Sequence, residues 1–185
     1  MKSQKLREIQ MDIRNNFGKN VDWNSLPKGN FNCYMFALKN TIPTEIFDHE
    51  ENNQVFLRSL IDEKISYFGD IGQISGKVHY SNVSELIEAL KSDLKILGFL
   101  ATESSAEEIV EEQCIKIAFY YNTEELLKGK HSSFHFIRQE GNKWFHKNGW
   151  NGDVEELDCP IGEFSAIGLE LIGYFRLSLK NNNCS

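Results

Sequence analysis

The stretch Ser132-Ser133-Phe134-His135-Phe136-Ile137-Arg138-Gln139-Glu140-Gly141-Asn142-Lys143-Trp144-Phe145-His146-Lys147-Asn148-Gly149-Trp150 decides how this chain is read. Phe134 and Phe136 alternate with His135 and Ile137, and Phe145 then alternates with Trp144 and His146, which is the period of two that strands carry. Gln139-Glu140-Gly141-Asn142 between them is turn chemistry. The stretch is therefore expected to form a β-hairpin with one histidine on each arm. A turn centred between Glu140 and Gly141 sets His135 directly opposite His146, on one face, with β-carbons roughly 4.5–5.5 Å apart. A slip of one residue would separate them.

Working outward, the hairpin is expected to meet a cysteine. In Gly29-Asn30-Phe31-Asn32-Cys33-Tyr34-Met35-Phe36-Ala37-Leu38, a loop gives way at Cys33 to an apolar run of helix formers that stops before Pro43. This puts Cys33 at or near a helix N-terminus. Free amide N–H groups and the positive end of the helix dipole favour thiolate there, and a neighbouring imidazolium would lower the pKa further. Such a cysteine is a candidate nucleophile, with a histidine as base and a third polar group holding that histidine in one tautomer. The competing reading is a small buried hydrophobe on an apolar helix.

A cysteine at a helix start, a histidine on a strand and a second polar residue on the next strand follow the order of the papain-like superfamily. Within it the chain resembles NlpC-type cysteine peptidases, where a second histidine follows the first on the adjoining strand. It also resembles a group of little-characterised bacterial proteins, through Asn32-Cys33-Tyr34, His135-Phe136-Ile137-Arg138-Gln139-Glu140, Trp144-Phe145-His146-Lys147 and Gly173-Tyr174-Phe175. The resemblance implies Cys33 as nucleophile, His135 as general base and acid, and His146 as orienter. It departs from typical NlpC enzymes in carrying Asn-Cys-Tyr rather than Asp-Cys-Ser. Lys147-Asn148-Gly149-Trp150 is similar to the Lys-Asn-Ser-Trp of the papain branch, and on that alignment Asn148 and His131 would replace His146 and His135. His135 is preferred because it lies inside the alternating strand.

On this reading Cys33 attacks an amide carbonyl and His135 protonates the leaving amine. Asn30 is a candidate oxyanion donor, and Trp144, Asn148 and Trp150 are candidate substrate contacts. The reaction class is amide hydrolysis or acyl transfer on a protein, peptide or peptidoglycan-like substrate, with no cofactor and no metal. Two other readings stand beside it: an inactive papain-like fold that binds a protein or peptide, and a zinc site of Cys33, His135 and His146, whose residue types suit that metal.

The remaining chain sets bounds. With 185 residues, 41% hydrophobic content and 12% aromatics, it is expected to be one globular α+β domain, N-terminal helices packed on a C-terminal antiparallel sheet. A net charge of -7 argues against a nucleic-acid or anionic-membrane binder. Leu6, Ile9, Ile13 and Phe17 recur at helical spacing in an amphipathic segment unlike an apolar signal core. A cytoplasmic location, or delivery without a recognisable signal peptide, is expected. Four scattered cysteines, Cys33, Cys114, Cys159 and Cys184, do not suggest a disulfide framework.

Between these parts, Val55, Phe56, Leu60 and Ile61 read as a helical face, and Tyr67 to Gly76 as a glycine-bearing loop near Cys33. His79 reads as a surface residue. Ser81 to Leu94 is the clearest helix, capped by Ser81 or Asn82. Strands are expected at 95–101, 114–120, 154–157 and 169–179, with Glu103 to Glu112 a solvated acidic helix or loop.

Overall fold

The computed structural model describes residues 2–17, 19–26, 31–40, 70–111, 113–128, 133–149, 151–158 and 164–180. Among them, in chain order, lie α1 (Lys2–Phe17), α2 (Cys33–Ala37), α3 (Val83–Leu97), β1 (Phe99–Ser104), β2 (Cys114–Tyr121), α4 (Thr123–Leu127), β3 (Phe134–Glu140), β4 (Lys143–Lys147), β5 (Val154–Leu157) and β6 (Glu170–Leu179). The strands form one six-stranded antiparallel sheet in the order β1-β6-β2-β3-β4-β5. This is the α+β layering the sequence leads one to expect. The apolar segment around Val55 to Ile61 lies outside the described residues.

Each well-formed helix has a local cause. In α1, Ile9, Ile13 and Phe17 lie on one buried stripe. The Asn82 side chain accepts from Glu85 N at 3.0 Å to start α3, while the Glu85 carboxylate returns to Ser81 N and Oγ. Gly98, left-handed at φ 96°, ends the helix. The helix therefore persists through Lys95 and Leu97, and β1 begins only at Phe99 and runs on to Ser104. This corrects both the strand expected from Lys95 and the placing of Glu103 in an acidic helix or loop: buried Leu86, Leu90, Leu94 and Leu97 keep helical spacing to the glycine.

The sheet has two unlike faces. Ile117, Phe119, Phe136, Phe175 and Leu177 share one core with α1, α2 and α3, where Phe136 stacks between Phe119 at 4.6 Å and Tyr34 at 4.8 Å. Burying each such side chain contributes roughly 1.5–3 kcal/mol. The other face carries a smaller cluster of Ala118, Tyr120, Ile137, Trp144 and Tyr174, covered by Phe164 and Leu169. There Lys116 donates to Ala106 O at 2.8 Å and Glu108 O at 2.7 Å and lies over the Trp144 and Tyr174 rings, pinning the segment after β1.

The hairpin forms, but in another register. Its closing pair is Glu140 and Lys143, so the turn is centred between Gly141 and Asn142, and His146 faces Ile137 rather than His135. Gly141, at φ 60°, takes the first central position, where a tight two-residue hairpin turn calls for a positive φ. Because the pairing moves by two positions and not one, both histidines keep to the same face.

Cys114 is in a disulfide, and its partner lies outside the described residues. This corrects the expectation that the cysteines are unbridged. Four scattered positions carry little pairing signal in sequence, since pairing depends on where the sheet brings the chain.

Candidate functional site

Cys33 opens α2, a five-residue helix. The Asn32 side chain caps it by accepting from Met35 N at 2.9 Å. Its far end closes with Asn40 N bonded to Met35 O and Lys39 N to Phe36 O, and with Lys39 left-handed at φ 55°. A lysine there is strained where glycine would not be. Its ammonium offsets that cost by donating to Phe17 O and Lys19 O at 3.1 Å, capping the end of α1.

α2 is held on the sheet by Arg138, which is fully buried. One Nη donates to Phe36 O and the other pairs with Glu140, while the guanidinium lies 4.0 Å from the Phe36 ring centre and 4.9 Å from that of Trp23. Burial lowers the Arg138 pKa to about 10, with Glu140 acting the other way, so it stays charged at neutral pH. Nearby, Asp93 accepts from Gly72 N and Ser75 N at 2.7 Å and from Tyr34 Oη at 3.4 Å, tying the 70–77 loop beside Cys33. The described part of the loop expected near the cysteine is there, and Asp70 acts electrostatically on the thiol.

The histidines are brought together. His135 Nε2 lies 3.0 Å from His146 Nδ1, and Phe164 packs on both rings at 4.4 and 5.6 Å. Glu155 on β5 directly faces His146, its carboxylate 3.7 Å from Nε2. Burial first, and then the charge of His146, push His135 down to about 3, so it is a neutral imidazole at ordinary pH.

Cys33 is not brought to them. Phe136 and Arg138 point to the face that α2 covers, so His135, one residue out of phase, points to the other. His146, level with Ile137, does the same. The Cys33 thiol instead hydrogen-bonds backbone at Phe136 and Tyr34, and burial raises its pKa to about 11. The expected lowering of that pKa is thus reversed: desolvation outweighs a five-residue helix end, and among the described residues no imidazolium acts on the sulfur.

Among the substrate contacts, Trp144 is a buried core residue on the histidine face, and Asn148 is exposed, its carbonyl accepting from Gly152 N at 3.1 Å. Asn30, Trp150 and His131 lie outside the described residues. His79 is exposed. No cluster of three or more His, Cys, Asp or Glu able to hold a metal occurs among the described residues, so the zinc reading finds no ligand set there. Glu155 was missed from sequence; its signal is that it lies across β4 from a histidine, which only the register reveals.

No family model, curated protein or solved structure matches this chain. No described helix is long and apolar enough to cross a membrane.

Proposed function

We propose that this chain is a binding domain of papain-like layering that engages a protein or peptide segment on its histidine-bearing face, and that it does not use Cys33 as a nucleophile. The observation that carries this reading is the parity of β3: the neighbour of the cysteine sulfur is the Phe136 backbone, while the His135 ring leaves on the opposite side. A thiol raised to about 11, with neither His135 nor His146 on its face, is poorly suited to attack a carbonyl.

A second reading, an amide hydrolase or acyl transferase, is favoured by one feature: the Glu155, His146 and His135 sequence of contacts has the form of a base held by its orienters. Iodoacetamide separates the two. Under the binding reading Cys33 in the folded chain is unreactive and indifferent to His135→Gln. Rapid labelling confined to Cys33 and lost in His135→Gln would restore the hydrolase. As for location, the Cys114 disulfide favours delivery to an oxidising compartment over the cytoplasm.

A further inference from the structure

We propose that two copies of this chain pair antiparallel along β1, about a two-fold axis at Ala101, joining their six-stranded sheets into one continuous sheet. The inference goes beyond the binding reading above and uses none of its residues.

β1 and β5 are the two edges of the sheet, and the chain treats them differently. At β5 the Asn24 side chain takes up the outward backbone of Val154, accepting from its N–H at 2.9 Å and donating to its carbonyl at 3.1 Å. A side-chain amide stands there where a further strand would bond, which closes the start of that edge. β1 has no such cover among the described residues. Lys180 N donates to Gly98 O at 3.0 Å, and this sets the phase of the ladder between β1 and β6. Bonded and non-bonded pairs alternate along an antiparallel ladder, so Leu100, Thr102 and Ser104 turn their backbone groups to β6 while Phe99, Ala101 and Glu103 turn theirs outward. Among the described residues nothing hydrogen-bonds to the backbone of those three. The strand carries neither proline nor bulge to blunt it, and Leu100 is 58% exposed beside the open edge.

A second copy in reverse direction fits this edge. With the axis at Ala101, Ala101 lies against Ala101 of the second copy, Phe99 against Glu103 and Leu100 against Thr102, so every outward N–H and C=O finds a partner. The small Ala101 side chains meet at the axis, and exposed Leu100 gains a β-branched neighbour. Charge favours the same direction. The Gly98 end of β1 carries exposed Lys95 and Lys180, whose Nζ donates to Lys95 O. The other end carries Glu103, a side chain still 74% exposed although it meets Lys91 at 2.8 Å. Antiparallel pairing brings the basic end of each copy to the acidic end of the other, whereas parallel pairing would set like against like. Such an interface is isologous and closes at two, and Asn24 on the far edge keeps the sheet from growing further.

The test is sedimentation equilibrium of the full, unreduced chain over about a hundredfold range of concentration, with backbone amide exchange followed in the same samples. A contact along one strand buries little surface, so the expected result is a monomer–dimer equilibrium with Kd on the order of 100 µM. As the dimer fills, exchange should slow severalfold at Phe99, Ala101 and Glu103 and stay constant at Leu100 and Thr102, whose amides β6 already holds. Ala101→Pro removes an outward N–H that β6 does not use, so it should leave the monomer folded and weaken the dimer at least about tenfold. Should that variant fail to fold, the exchange pattern of the unsubstituted chain decides alone. A chain that is monomeric throughout, exchange at Phe99, Ala101 and Glu103 that ignores concentration, or a dimer that survives in folded Ala101→Pro overturns the proposal.

Discussion

His135 and His146 meet through Nε2 and Nδ1 at 3.0 Å although their backbones are not opposed, Ile137 occupying the position across from His146. Diagonal neighbours on one sheet face are within reach of long or ring-bearing side chains, so two imidazoles can share a hydrogen bond without sharing a pair position.

That pairing predicts acid lability. His135 is held neutral with its pKa lowered from 6.5 to about 3. The unfolded chain therefore binds a proton that the folded chain refuses between those values. Stability from this source is fully present above about pH 6.5 and is lost as pH falls toward 3, amounting to several kcal/mol by linkage. Urea denaturation at pH 7.5, 5.5 and 4 checks it: His135→Gln should flatten the dependence over that range, and an equally steep loss in the variant would contradict it.

Arg138 is the clamp between α2 and the sheet. Removing the charge partner or the guanidinium leaves a buried group unpaired, so Arg138→Ala should cost about 3–5 kcal/mol. Arg138→Lys should also destabilise, since an ammonium cannot bond Phe36 O and Glu140 while lying flat on two rings. Thermal unfolding of both variants provides the measurement.

The loop beside Cys33 hangs on Asp93. Asp93→Ala leaves the Gly72 and Ser75 amides without their acceptor and should cost about 2–4 kcal/mol. Because that loop walls the thiol, labelling of Cys33 should quicken in the variant. An unchanged rate would show that the loop does not shield it.

The disulfide makes a simple count. Of the four cysteines, Cys33 is free and Cys114 is bridged. Alkylated after denaturation without reductant, the chain should gain two labels, and after reduction four, by intact mass. Four labels without reductant would remove the bridge.

Much of this architecture is legible in the residues. Ser81 to Leu94 reads as a helix because its apolar spacing and its cap agree, although the last turn to Leu97 reads instead as strand, and β2, β3 and β4 read as strands from their alternation. The hairpin register is less legible, since Glu-Gly-Asn allows several turn centres until Gly141 is seen to need a positive φ. The decisive miss was the face. Alternation separates His135 from Phe136 but does not say which side the helices cover. The answer lies in summed apolar area: Phe136, Phe119, Ile117, Phe175 and Leu177 share one parity, and a helix packs where most surface can be buried. Weighing the two parities across all strands would have set Cys33 against the phenylalanines and not the histidines.

The most direct test of this separation is the iodoacetamide reaction rate of Cys33 in the folded, unreduced chain as a function of pH. With the thiol near 11, the thiolate at pH 7.5 is on the order of one part in several thousand, so labelling should be slow, rise only in strong alkali and be unchanged by His135→Gln. Fast labelling at neutral pH that titrates well below about 8.5 and disappears in His135→Gln would mean that sulfur and imidazole meet, and would contradict the account.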